Sequence, residues 1–147
     1  MKTNELGRSM IEMLGVLAVV GVLTVAGIAG YTKAMEKYKI HKVKDEMQQI
    51  STNILTLFSG VGTFKGLNTS MAQSMGVIPE SMTKSGEPRH TFGGTITIEA
   101  KSYGGTEGAA FEVKFNNLPQ SVAIQLGTDT SNDSNKNLLY VQLGSSN

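Results

Sequence analysis

The stretch Gly7–Thr32, GRSMIEMLGVLAVVGVLTVAGIAGYT, decides how the rest of this chain is read. From Met13 to Thr32 it runs for 20 residues without a formal charge. At 1.5 Å of rise per residue that is roughly 30 Å of helix, the thickness of a bilayer's hydrocarbon core. Leu, Val, Ile, Ala and Gly fill it on every side, so no polar stripe is left to face water. A buried core helix is the alternative, but residues 33–147 are too polar to wrap one. An ordinary secretory signal has an apolar region of only about 7–15 residues, followed by a small-x-small cleavage site. Here the run is longer, and Glu12 stands at its entrance. A carboxylate in a spanning segment costs roughly 2.5–3.5 kcal/mol at the centre and less near the interface. A residue kept at such a cost normally has a partner.

The segment Gly7-Arg8-Ser9-Met10-Ile11-Glu12, followed by an apolar helix, resembles the prepilin (class III) signal of type IV pilins and pseudopilins. The resemblance implies a leader of residues 1–7, MKTNELG, cut after Gly7 by a prepilin peptidase, with N-methylation of the new terminus at Arg8. Glu12 is then the fifth residue of the mature chain, where that family places its assembly glutamate. Arg8 departs from the family's usual Phe, Met or Leu, and Glu5 reduces the basic character of the leader. Physical chemistry supports the role implied for Glu12. Cleavage creates an α-amino group on residue 8, and in a low-dielectric filament core that cation from a neighbouring subunit neutralises a carboxylate better than any apolar contact.

The resemblance further implies a precursor in the bacterial inner membrane, with its N-terminus cytoplasmic and its head extracytoplasmic. Its expected partners are the lipid bilayer before assembly, the peptidase, the inner-membrane pilus assembly machinery and identical subunits in a homopolymer. The destination is an extracellular pilus or a periplasmic pseudopilus. The positive-inside rule points the other way, because Lys33, Lys37, Lys39, Lys42 and Lys44 follow the span while Lys2 and Arg8 precede it.

Beyond the span the helical pattern continues and becomes one-sided. Ile40, Val43, Met47, Ile50, Ile54 and Leu57 recur at three- and four-residue spacing, with Lys39, Lys42, Lys44, Asp45, Glu46, Gln48 and Gln49 between them. No Pro or Gly interrupts Tyr31–Ser59, and Gly60 with Gly62 supply a stop. The expectation is one helix of about 50 residues, on the order of 75 Å. Its first part (8–32) needs lipid or neighbours and its second (33–59) needs a sheet to cover its apolar face.

Residues 60–147 read as a β-rich head. Gly60–Glu87 is loop-like, with a short helix at Ser70–Met75 closed by Gly76 and an extended Val77-Ile78-Pro79. Gly94–Ala100 and Ala110–Phe115 alternate as strands of an antiparallel hairpin, joined by a loose loop from Tyr103-Gly104-Gly105. Leu118–Leu126 reads equally as a short helix or a fourth strand, and Leu138–Leu143 as a last strand. The fold class expected is therefore α+β, a long helix on a small antiparallel sheet. The segments GVIPESM, GGTITI and FEVKFNNLPQSVAIQL are similar to the heads of type IVb pilins, although several relatives have a cysteine after such a proline, and in that neighbourhood Ala123 stands here.

With 13 Lys+Arg against 12 Asp+Glu the net charge is +1, which gives no reason to expect a nucleic-acid partner. Cysteine is absent, so disulfides, thiolate nucleophiles and Cys-based zinc sites are excluded together. The two histidines, His41 among lysines and His90 after Arg89, are not at metal spacing, and no nucleophile elbow or phosphate loop is present. No catalytic residue and no cofactor are assigned, and no enzyme is expected. The oxygen-rich Thr128–Asn137 offers Asp129 and Asp133 as weak calcium candidates, but the EF-hand glycine is missing and Tyr140 occupies the twelfth position. A polar surface turn is the plainer reading. Three functional classes stay open: a pilus shaft subunit, a pseudopilin of a type II secretion system, and a membrane-tethered binding domain that does not polymerise.

Overall fold

The computed structural model of the chain describes residues 3–132 and Gly144. It is α+β, with a 56-residue helix α1 (Thr3–Phe58), a short α2 (Thr69–Ser74), hairpin strands β1 (Thr83–Lys84) and β2 (Glu87–Pro88), a longer hairpin β3 (Ile96–Tyr103) and β4 (Thr106–Phe115), and α3 (Gln120–Asn132). By internal contacts the chain divides into two units, Met1–Tyr38 and Lys39–Asn147.

The first unit is helix alone. Its large apolar side chains from Met10 to Ile28 are all exposed among the described residues. The polar groups inside this stretch are satisfied locally. Thr24 donates its hydroxyl to the Val20 carbonyl at 2.7 Å, and Thr32 to that of Ile28 at 2.9 Å. Such back-bonding removes the cost of carrying a hydroxyl into hydrocarbon.

In the second unit the amphipathic stripe of α1 builds two apolar clusters. Ile50, Ile54 and Phe58 pack with Leu67, Ala72, Val77, Ile78 and Met82 and with Ile96 and Ile98 of β3. Ile40 and Val43 pack with Val122 and Leu126 of α3, flanked by Met47, Phe92, Phe115 and Leu118. One position of the expected stripe is corrected: Leu57 is 41% exposed and Phe58 is buried in its place. Both continue the spacing from Ile54, by three and by four residues, and the side toward Phe64 and Phe111 is the one that closes. The helix stops as its glycines require, with Gly62 at φ +72° and its N–H on the Phe58 carbonyl.

The segment 60–87 is more ordered than a loop. Asn68 caps α2 through Oδ1, which accepts from the Met71 N–H at 2.8 Å. At the other end Gly76 turns left-handed, and the Val77 N–H reaches the Ala72 carbonyl at 2.9 Å while Val77 itself is buried. Ser85 and Gly86, both at positive φ, form the turn of the unanticipated β1–β2 hairpin.

The connection expected to be loose is a tight turn of Gly104 and Gly105, at φ +59° and +81°, between the paired Tyr103 and Thr106. Ile96↔Phe115 and Ile98↔Val113 face the core, while Thr97↔Lys114 and Glu99↔Glu112 face outward. Of Leu118–Leu126, the part from Gln120 onward is helix, since Val122 and Leu126 bury one face at four-residue spacing. Because α3 runs on to Asn132, Thr128–Asn132 is helical and not a surface turn. The strand expected at Leu138–Leu143 lies outside the described residues.

Candidate functional site

Two regions concentrate the chemistry. The first is the N-terminal end of α1. Gly7 lies inside the helix, and a side chain built on it would meet nothing within 4 Å. Arg8 Nε sits 3.9 Å from Glu12 Oε1, one helical turn away, with both side chains largely exposed. That i, i+4 pair is the weak kind, worth about 0.3–0.5 kcal/mol. It therefore leaves Glu12 free to take a better cation. Beside Glu12, a shallow groove runs along Gly15, Val16, Val19 and Val20, and a second along Gly21, Val22, Val25, Ala26 and Ala29. The glycines lack the side chain that would keep another helix at a distance, and each has open space around it. The most apolar 18-residue window of this helix reaches a mean hydropathy of 2.3 with none of it buried, so its length and composition are compatible with membrane anchoring.

The second region is a buried polar cluster in the second unit, which the sequence did not reveal. Glu46, expected on the solvated face of α1, is only 7% exposed. Its Oε2 accepts the Thr91 N–H at 3.1 Å and its Oε1 the Thr91 hydroxyl at 2.6 Å, a length typical of O–H to carboxylate. His90, in the turn-rich stretch after Arg89, is 4% exposed. Its Nε2 lies 2.7 Å from the Asn116 carbonyl, and its Nδ1 accepts the Phe92 N–H at 3.1 Å. The Asn116 side chain donates in turn to Thr95 and Thr97, each at 3.1 Å. Gly94 makes this closeness possible, because a Cβ there would run into the Asn116 carbonyl and the His90 ring. Among the described residues no buried side-chain nitrogen or oxygen lacks a partner.

The remaining candidates separate from both regions. His41 is exposed. Asp129 lies on α3, where Lys44 Nζ stands 4.0 Å from its Oδ2, so the loop geometry on which calcium ligation was considered does not exist there. Asp133 lies outside the described residues. Among the described residues, no three His, Cys, Asp or Glu side chains converge as a metal site would require.

An exposed apolar helix that continues into an amphipathic one, packed on a small antiparallel hairpin head, defines a pilin-like class of protein. The sequence profile of the PilS N-terminal family matches residues 37–145, well over half of the chain. The chain belongs to the PilS N-terminal family, which is related to type IV pilins. No curated protein and no solved structure matches it. The family match covers the amphipathic part of α1 and the head, whereas the signal-like segment Gly7–Glu12 precedes it.

Proposed function

We propose that this chain is a structural subunit of a type IV pilus, inserted in the inner membrane as a prepilin, cleaved between Gly7 and Arg8 and polymerised through the apolar part of α1. The observation that carries this reading is the helix surface from Met10 to Ile28, apolar, wholly uncovered and grooved at its glycines, with Glu12 at its entrance. Before assembly, lipid covers that surface; in the filament, the same surface of neighbouring copies does. Glu12 then takes the α-amino group of a neighbour's residue 8 as its cation. The filament needs neither a catalytic centre nor a cofactor. Within the pilins, GVIPESM, GGTITI and FEVKFNNLPQSVAIQL support the type IVb branch.

The test uses the full-length gene in a cell that makes the filament. Gly7→Val should leave the leader attached, read by intact mass of membrane-extracted protein, because the backbone at the bond to be cut must enter a protease site extended, and a small residue there allows it. Glu12→Ala should insert in the membrane at least as well as the wild type yet give no filaments by electron microscopy, since the neighbour's ammonium is left without a partner. Arg8→Met removes the intrahelical pair but keeps an α-amino group, and should still assemble. Normal filaments from Glu12→Ala, or a mature wild-type chain beginning anywhere but Arg8, would overturn the proposal.

A further inference from the structure

We propose that the lysines following the span dock on anionic phospholipid headgroups at the membrane surface where α1 emerges, holding the precursor at one depth in the bilayer. The inference rests on the membrane-inserted reading of α1 and names the lipid chemistry that its flank selects. The uncharged run ends at Thr32, and from Lys33 to Lys44 five lysines stand against the single carboxylate of Glu36. Lys33, Lys37, Lys39 and Lys42 are exposed, and among the described residues none of the four has a carboxylate within salt-bridge reach. By contrast, Lys44, Lys65, Lys101 and Lys114 each have one. Four cations beside an apolar span are thus left for a partner outside the chain.

Helix geometry aims them at the bilayer. Every Cα–Cβ bond of an α-helix tilts toward the N-terminus, and here the span is the N-terminal part. A lysine beyond the span therefore leans back toward lipid, its alkyl stem along apolar surface and its ammonium at the headgroups. The headgroup zone is about 5–8 Å deep on each side, half the difference between the whole bilayer and its hydrocarbon core. Lys33 and Lys37 lie in the first unit, on one face of the helix and roughly 6 Å apart along it, so together they fill that depth. Tyr31, 68% exposed at the end of the run, marks the same level, since tyrosine rings rest at membrane–water boundaries. Lys39 and Lys42 are the next cations along the same helix, within the field of a negative surface, which falls off over about 8 Å.

An acidic protein face is the other class of partner for such cations, and the spacing argues against it. At about 100° of rotation per residue, Lys33 and Lys37 lie about 40° apart, whereas Lys42 lies about 180° from Lys33. A docked protein meets one side of a helix. A layer of headgroups encircles it, and only that partner reaches lysines on opposite sides together. The positions also begin one residue after the uncharged run ends, which ties them to the place where lipid stops. Charge complementarity then selects anionic over zwitterionic lipid. The excess of lysine beyond the span, which assembly through the apolar surface does not use, thereby gains a partner.

The test uses the full-length chain in phosphatidylcholine vesicles carrying a trace of spin-labelled phosphatidylglycerol or spin-labelled phosphatidylcholine. Flotation establishes insertion, and electron paramagnetic resonance reads how strongly each labelled lipid is held at the protein. Wild type should hold the glycerol lipid at least about threefold more strongly than the choline lipid, and about 0.5 M salt should bring the ratio close to one. Lys33→Gln, Lys37→Gln, Lys39→Gln and Lys42→Gln combined should lower the ratio at least about twofold, with the melting of the head unchanged because these side chains are exposed. Arg8, before the span, is common to both chains, so the difference reads the lysines. Lys65→Gln with Lys84→Gln, in the head, should leave the ratio where it was. A wild-type ratio near one, a ratio untouched by the combined variant, or an equal loss in the head variant would each overturn the proposal. So would loss of filaments in the combined variant at an unchanged lipid ratio, which assigns the lysines to an acidic face of a neighbouring copy. If the combined variant does not insert, the wild-type ratio and its salt dependence decide. A wild-type chain that does not float with the vesicles sinks the membrane reading, and this proposal with it; one that floats with a ratio near one sinks this proposal alone.

Discussion

Replacing Thr91 by Val isolates a single contact of the polar cluster. The side chain keeps its shape, and the Thr91 N–H still reaches Glu46 Oε2 at 3.1 Å, but the 2.6 Å bond to Oε1 is lost. A hydrogen bond to a charged group is worth about 1.5–3 kcal/mol net, and the deserted oxygen belongs to a buried carboxylate. Because the second oxygen keeps its partner, the loss should fall near the middle of that range, about 2 kcal/mol. In a folded unit of this size 1 kcal/mol shifts the melting midpoint by about 4 °C, so a fall of about 8 °C is expected. Far-UV circular dichroism of the full-length chain in micelles reads it directly. A double-mutant cycle with Glu46→Ala locates it: in that background Thr91→Val should cost almost nothing. A midpoint within about 2 °C of wild type, or the same penalty with and without the carboxylate, would refute the argument that Thr91 acts through Glu46.

Gly94→Ala should cost about 3 kcal/mol or abolish the folded head, because the new methyl meets the Asn116 carbonyl and a packed imidazole; a melt close to wild type would show that the two segments can part at little cost. Phe58→Ala should lose about 3–5 kcal/mol in chemical denaturation whereas Leu57→Ala should lose less than about 1 kcal/mol, since only the former side chain is buried. On the solvent face of the hairpin, the Lys101 ammonium, hydrogen-bonded to Glu99 and helped by Lys114, holds the Glu99 carboxyl below its usual range, and Glu99 and then Glu112 raise Lys101 above its own. A lowered carboxyl contributes stability that is present above its unfolded range and lost as pH falls through the folded one, while a raised lysine contributes below its unfolded range and loses it as pH rises. The melting difference between wild type and Glu99→Gln should thus be flat near neutrality, vanish in strong acid and shrink with salt.

How much of this was legible in the sequence depended on how local the cause was. The apolar run 13–32, the stop at Gly60–Gly62 and the close of α2 at Gly76 are decided within a few residues of themselves, and each is found where its pattern lies. The stripe on α1 was legible until its last turn, where Leu57 and Phe58 both fit the spacing and packing against Phe64 chose between them. Strands of two residues show no alternation, so β1 and β2 left only the Ser85-Gly86 turn as a trace. The polar cluster had no local trace at all. Glu46 between lysines has the composition of a solvated face, and its burial depends on Thr91, 45 residues away. His90 is likewise buried by Asn116 and Phe115, far along the chain. Residues 128–132 mislead in the opposite direction, because their polar composition suggests a turn while Val122 and Leu126 have already committed the segment to helix.

The outward face of the β3–β4 hairpin also bears on how its alignment is chosen. Glu99 stands directly opposite Glu112, with Lys101 opposite Ala110 and Lys114 opposite Thr97. A slip of two residues would keep every side chain on its own face while bringing Glu99 opposite Lys114 and Lys101 opposite Glu112, so it too would pair these charges. In the native ladder the same side chains already pair on the diagonal, Lys101 and Lys114 each within reach of both Glu99 and Glu112, so the surface charges do little to choose between the two alignments. Alignment falls instead to the Gly104-Gly105 turn, which fixes where the chain reverses, and to Ile96 and Ile98, whose places opposite Phe115 and Val113 a slip would vacate. A chain that lengthened or stiffened that turn would lose one arbiter and leave the core alone to choose between two ladders that the charges tolerate alike.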